Sequence, residues 1–208
     1  AEEPIIKLDK VLKSINPLLT HKNLLNHFAL NEPLIITKDY LTFDFETFTR
    51  KVNTKKGDKM MIVGELFPVS VAGLLKINDT RIELYNDARE GNDFTQTFLN
   101  NVFNLINESI NRNKEQTLLF HALGFNSSRF DNSFMKKYYN TNEWTLTNSL
   151  GWLDDSKSIT IHHHQYNIDL VFKDVLSFIT PQSLADFVKS FSDSSLNENK
   201  GCFPYEVL

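Results

Sequence analysis

Residues 40–46 read Tyr40-Leu41-Thr42-Phe43-Asp44-Phe45-Glu46. β-branched and aromatic residues crowd this stretch, and apolar and polar positions alternate, so a strand is expected here. Successive side chains of a strand point to opposite faces, which puts Asp44 and Glu46 on one side and Phe43 and Phe45 on the other. Two carboxylates then converge on one spot. Hard divalent cations such as Mg²⁺ take several oxygen ligands, and a pair of such ions activates water and stabilises the leaving oxygen in phosphodiester cleavage. An Asp-x-Glu by itself arises by chance about once in a chain of 208 residues. Its meaning depends on the segments around it.

Upstream, apolar residues at Leu8, Val11, Leu12, Ile15 and then Leu18, Leu19, Leu24, Leu25 and Phe28 follow a helical spacing interrupted at Pro17. Residues 1–38 are expected to form an N-terminal helical extension, with Leu34-Ile35-Ile36 a short apolar link. Downstream, the basic, glycine-bearing residues 51–58 read as a loop, followed by strand-like residues 60–63 and 68–77. Asn78-Asp79 turns the chain into a strand over 81–85, and these strands are expected to be antiparallel. From Phe94 to Ile110 the apolar positions recur every 3.6 residues, the pattern of a long amphipathic helix with one face on the sheet. A short strand at 117–120, a helix over 130–139, strands at 143–153, 158–164 and 168–178, and a helix from Pro181 to Phe191 complete an α/β chain. Residues 190–200 read as a polar loop.

The second chemical element is Asn126-Ser127-Ser128-Arg129-Phe130-Asp131, after an apolar strand and opening a helix, where Asp131 supplies a third carboxylate. A strand with Asp-x-Glu, then a sheet, a long helix, another strand and Asn-x-x-x-Phe-Asp resembles the first two exonuclease motifs of family B DNA polymerases. The resemblance runs from about Tyr40 to Leu208. Val171-Phe172-Lys173-Asp174-Val175-Leu176-Ser177-Phe178 and Lys200-Gly201-Cys202-Phe203-Pro204-Tyr205 resemble the organellar and linear-plasmid, protein-primed branch.

That resemblance implies an RNase H-like (DnaQ-like) exonuclease fold over 39–208, a mixed sheet flanked by helices. It implies 3′–5′ proofreading hydrolysis at a single-stranded DNA 3′ end, with two Mg²⁺ or Mn²⁺ ions held by Asp44, Glu46 and Asp131. Thr47, Asn126 and Phe130 match positions that grip the 3′ terminus, and the Phe130 ring is suited to stack on a base. The rest of a DNA polymerase chain and a terminal priming protein are the implied partners, in a mitochondrion or in cytoplasmic plasmid or viral replication. The family's third motif, a Tyr with an Asp four residues later, is expected beyond Leu208. Tyr166-Asn167-Ile168-Asp169 has the wrong spacing to replace it. The rival expectation is a non-catalytic remnant, an RNase H-like module that binds or scaffolds.

Composition narrows the choice. Hydrophobic residues at 41% and charged residues at 23% are ordinary globular usage. No apolar run reaches the roughly 18 residues of a membrane span. A net charge of −4 gives no global basic field, so any nucleic-acid contact must be local. Cys202 is the only cysteine, which rules out an internal disulfide and, with no spaced histidine, offers no nucleophile. His162-His163-His164 places only the outer two rings on one strand face, which reads as an exposed polar strand rather than a zinc site. Asp174 reads as a residue that orients backbone or caps a turn. Lys51, Lys55, Lys56 and Lys59 and the pair Lys136-Lys137 are equally placed to guide DNA or to be solvated faces.

Overall fold

The computed structural model describes residues 38–56, 59–91, 93–151 and 156–191. The expected N-terminal helical extension, apart from Lys38, and the segment from Lys200 to Tyr205 lie outside them. The described residues form a mixed α/β unit around one seven-stranded sheet. β1 (Tyr40–Lys56), β2 (Lys59–Ile77) and β3 (Thr80–Asp87) are followed by α1 (Phe94–Ser109), β4 (Leu118–Gly124) and the short α2 (Asp131–Met135). β5 (Trp144–Leu150), β6 (Ser158–His163), β7 (Ile168–Asp174) and α3 (Leu184–Phe191) complete it. No helix among the described residues is long and apolar enough to cross a membrane.

The strand order is β3-β2-β1-β4-β7-β6-β5. β1, β2 and β3 form an antiparallel meander, and β5, β6 and β7 form a second one. The two meet through β4, which runs parallel to both β1 and β7. Parallel neighbours need a crossover, and α1 supplies it between β3 and β4. Tyr40 pairs with His121 and Gly124 with Asp174, so β1, β4 and β7 point their carboxyl ends to the same edge of the sheet. Ligands of open α/β sheets bind at such an edge.

The α1 periodicity is realised. Phe94, Phe98, Leu99, Val102, Phe103 and Ile106 are buried beneath β2 and β3, with Leu41, Phe43, Phe45 and Val71 from the strands in the same core. Each such side chain contributes about 1.5–3 kcal/mol on burial. Gly73 lets α1 approach closely: a Cβ there would lie 2.9 Å from Cζ of Phe98 and 3.1 Å from Cδ1 of Leu41. Gly73→Ala is therefore expected to cost about 1–3 kcal/mol by overpacking, read as a lower urea midpoint with an unchanged m-value.

Several sequence expectations are corrected. Residues 51–56 are strand rather than loop, because β1 and β2 continue pairing out to Lys56 and Lys59 as a hairpin arm. The two expected strands at 60–63 and 68–77 are one. The expected helix over 130–139 is a short α-helix followed by a 3-10 turn at Lys136–Tyr138, where the Trp144 indole N–H donates to the carbonyl of Tyr138 at 2.8 Å. β4 runs on to Gly124, so His121 lies inside the strand. β7 gives way to a 3-10 turn at Val175–Ser177, and Ser190 and Phe191 belong to α3. The histidine run is not a wholly exposed strand. His163 is buried, stacked at 4.2 Å on Tyr166 and packed beside Phe103, and burial lowers its pKa. His162 meets Asp169 at 2.7 Å.

Candidate functional site

Where β4 ends beside β1, a cleft of about 320 Å³ opens, lined by Asp44, Phe45, Thr47, Leu66, Phe125, Asn126, Phe130, Asp131 and Phe134. Five of the six residues singled out from the sequence, Asp44, Thr47, Asn126, Phe130 and Asp131, meet there. Glu46, two residues beyond Asp44 on the same strand face, is not among the lining residues. A bulge follows at once: the β1–β2 register shifts between Glu46 and Thr47. The extra residue is Val69 of β2, between the partners of Glu46 and Thr47, and Thr47 shares the cleft with Asp44.

Asp131 begins α2 and is only 5% exposed. One of its oxygens accepts the backbone N–H of Phe45 at 3.1 Å, which ties the second sequence motif to the first. Its pKa is pushed up to about 7, first by burial, then by the charge of Asp44, with Asp174 adding to the same direction; the Phe45 N–H opposes the rise. Asp44 itself is exposed. The donor chemistry suits a hard cation, because the groups are carboxylate oxygens and their mutual repulsion is what a divalent ion relieves. Asp44 and Asp131 therefore fit as ligands. The full expected set does not assemble in the same way: among the described residues no three His, Cys, Asp or Glu side chains form a group able to hold a metal ion.

The loop from Gly124 to Phe130 is held in a demanding conformation. A Cβ on Gly124 would stand 2.5 Å from Cβ of Ser127 and 3.0 Å from the Phe43 ring, so only glycine admits this path. Asn126 has φ +58°, left-handed backbone that Asn tolerates better than most residues. Asp174, at the end of β7, fastens the loop. It accepts from the N–H of Asn126 at 3.0 Å, the N–H of Ser128 at 3.1 Å and the Ser128 hydroxyl at 2.5 Å, and from the N–H of Leu176 at 2.9 Å. The Ser127 hydroxyl is buried without a hydrogen-bond partner. Backbone and polar groups kept in such states cluster at functional sites.

Aromatic rings frame the acids. Phe130 is 47% exposed at the cleft, Phe134 packs against Phe45 with centroids 5.5 Å apart, and Phe125 packs against Phe187 of α3 at 5.5 Å. A larger, mainly apolar hollow of about 840 Å³ shares Asp44 and Phe125 with the cleft and continues toward Leu123, Tyr85 and Leu184. Sequence reading missed Leu66, Phe125 and Phe134. Phe125 directly follows the apolar strand, and its neighbour Asn126 had been singled out; for Leu66 no local signal existed. No protein-family model, curated protein or solved structure matches this chain.

Proposed function

We propose that this chain carries a metal-dependent 3′–5′ exonuclease site acting on the 3′ end of single-stranded DNA, the proofreading portion of a family B DNA polymerase. The observation that carries the reading is the meeting of Asp44 and Asp131, 87 positions apart in sequence, in one aromatic-framed cleft at the carboxyl ends of parallel strands. The sheet order supports an RNase H-like reading: an antiparallel meander whose first strand bears the acidic pair, then a helix crossover to a strand parallel to it.

Asp44 and Asp131 would hold the divalent ions; Glu46, the expected third ligand, is not among the residues lining the cleft. Bound ions of this kind activate water and stabilise the leaving oxygen. The chain's own residues position the substrate. Phe130 offers a half-open ring face for the terminal base, and Asn126 and Thr47 offer polar groups to the sugar and phosphate. The Phe45 N–H fixes Asp131, and Asp174 fixes the loop that carries Asn126.

Phe130→Ala is expected to lose about 1–3 kcal/mol of base stacking, which raises KM for a single-stranded oligonucleotide by about fivefold or more. The measurement is initial trimming rate against oligonucleotide concentration, and an unchanged KM would remove Phe130 from the site. Absence of a three-carboxylate group among the described residues favours the second reading, a non-catalytic binding module. Calorimetric titration with Mn²⁺ separates the two. The exonuclease reading expects a binding isotherm that Asp44→Ala and Asp131→Asn both weaken, whereas a remnant gives no heat beyond dilution.

A further inference from the structure

Beyond Pro68, the paired strands β1 and β2 leave the body of the sheet as a hairpin arm. Its register runs from Thr47 opposite Pro68 to Lys56 opposite Lys59. Residues 47–68 carry Arg50, Lys51, Lys55, Lys56 and Lys59 against Asp58 and Glu65, a formal +3 in a chain whose net charge is −4. The remainder of the chain is therefore at −7, and the arm is a local positive feature on an acidic protein. Its apolar side chains are not covered: Met60 is 67% exposed and Ile62 70%, with Phe48, Met61 and Leu66 also exposed. An arm of two strands that buries so little is marginal by itself in water, and its uncovered apolar side chains offer a surface for a partner.

Cross-strand partners share a face. One face carries Thr47, Thr49, Lys51 and Asn53 with Leu66, Ile62 and Met60, and Thr47 and Leu66 at its root are lining residues of the acidic cleft. Gly64, opposite Lys51, adds no side chain to this face. The other face has the Phe48 and Phe67 rings stacked at 5.7 Å, with the Arg50 guanidinium over Phe67 at 5.7 Å. Cations alternating with flat or apolar groups along a track match a polyanion with stackable bases.

We propose that the β1–β2 arm is a guide for single-stranded DNA, its Thr47–Leu66 face leading the strand into the cleft, with the arm's cations on the phosphates and Leu66, Ile62 and Met60 under the bases. Charge complementarity and continuity with the cleft select this occupant over a second copy of the chain. The choice of a single-stranded DNA rests on the exonuclease reading of the cleft. The arm also explains how an acidic protein takes up a polyanion next to two carboxylates: the attraction is concentrated where the strand enters.

The test is fluorescence anisotropy of an oligothymidylate of about 20 nucleotides with the full chain in EDTA, across a salt series, so that binding is read without cleavage. Lys51→Glu combined with Lys55→Glu is expected to weaken binding by at least about tenfold and to flatten the salt slope by about 1.4, ~0.7 for each lysine. Lys157→Glu, the same substitution at a single lysine beside β6 at the far side of the sheet, is expected to leave both unchanged. Binding that survives in Asp131→Asn while trimming is lost supports the arm independently of catalysis. Wild-type binding without any trimming keeps the arm and removes the exonuclease. Equal affinity and salt slope for wild type and the double variant overturn the proposal, as does a wild type that binds no oligothymidylate at low salt. A dimer by light scattering that the double variant converts to a monomer, with oligothymidylate affinity unchanged, overturns it in favour of a second copy of the chain.

Discussion

Asp131→Asn is expected to make the metal-free protein more stable at pH 8 while lowering metal-dependent trimming by a factor on the order of 10² or more. The stability half follows from linkage. The Asp131 carboxyl titrates near 3.8 when exposed and is pushed up to about 7 in the fold by burial and by Asp44. Between those two values the folded state holds a proton that the unfolded state has released, so stability falls as pH rises, at about 1.4 kcal/mol per pH unit. The contribution is complete below pH 3.8 and gone above about pH 7, a difference of about 4 kcal/mol.

Asparagine cannot ionise and still presents an oxygen to the Phe45 N–H. It should raise the melting temperature at pH 8 by about 5–10 °C and leave it nearly unchanged at pH 4. Mg²⁺ should narrow the gap, because it stabilises the wild type more than the variant. The activity half follows from the proposed site, in which Asp131 would hold an ion that supplies several kcal/mol of charge stabilisation. Melting curves at the two pH values, with and without Mg²⁺, check the first half. A variant less stable than wild type at pH 8 would contradict the raised carboxyl.

Asp174→Ala is expected to have the opposite sign and a similar size. The substitution strands the N–H groups of Asn126, Ser128 and Leu176 and the Ser128 hydroxyl, all of which now donate to one buried carboxylate. Bonds to a charged acceptor are worth about 1.5–3 kcal/mol each, and orphaned buried donors keep their desolvation cost. A loss of about 3–5 kcal/mol is expected, seen as a melting temperature lowered by about 10 °C or more in metal-free buffer. Because the carboxylate acts through the loop, trimming should weaken mainly in KM, as Asn126 and Phe130 lose their placement. A fall in kcat alone, with an unaltered melting curve, would instead make Asp174 a catalytic group.

The parts of the fold that were legible in the sequence are those where burial imposes a period. Tyr40 to Glu46 alternates because Leu41, Phe43 and Phe45 face the core, and the same alternation placed Asp44 on the opposite side. The long helix was legible because one stripe of it is buried under β2 and β3. Residues 51–56 were not, since the arm pairs with itself locally and buries little, which leaves charges and a glycine to imitate a loop. The helix after Asp131 was over-read because Tyr138 and Tyr139 keep a helical spacing while the tertiary bonds of Trp144 and Asn132 stop the helix. His163 looked polar and is core, because its ring is packed between Phe103 and Tyr166.

For the cleft, residue types and order along the chain pointed to Asp44 and Asp131, but three facts that shape it are not local. The Phe45 N–H reaches Asp131 across the fold, Gly124 is hemmed in by the Phe43 ring of β1, and Asp174 comes from a strand 50 residues beyond Gly124. The bulge after Glu46 likewise depends on how β2 pairs at Pro68.

The most direct test of the metal-dependent site is trimming of a 5′-labelled single-stranded oligonucleotide by the full chain with Mg²⁺ or Mn²⁺, beside Asp44→Ala. The account predicts a ladder shortening from the 3′ end, absent in EDTA and absent in Asp44→Ala. A ladder of equal intensity in wild type and Asp44→Ala, or no ladder from a folded wild type in either metal, would contradict it.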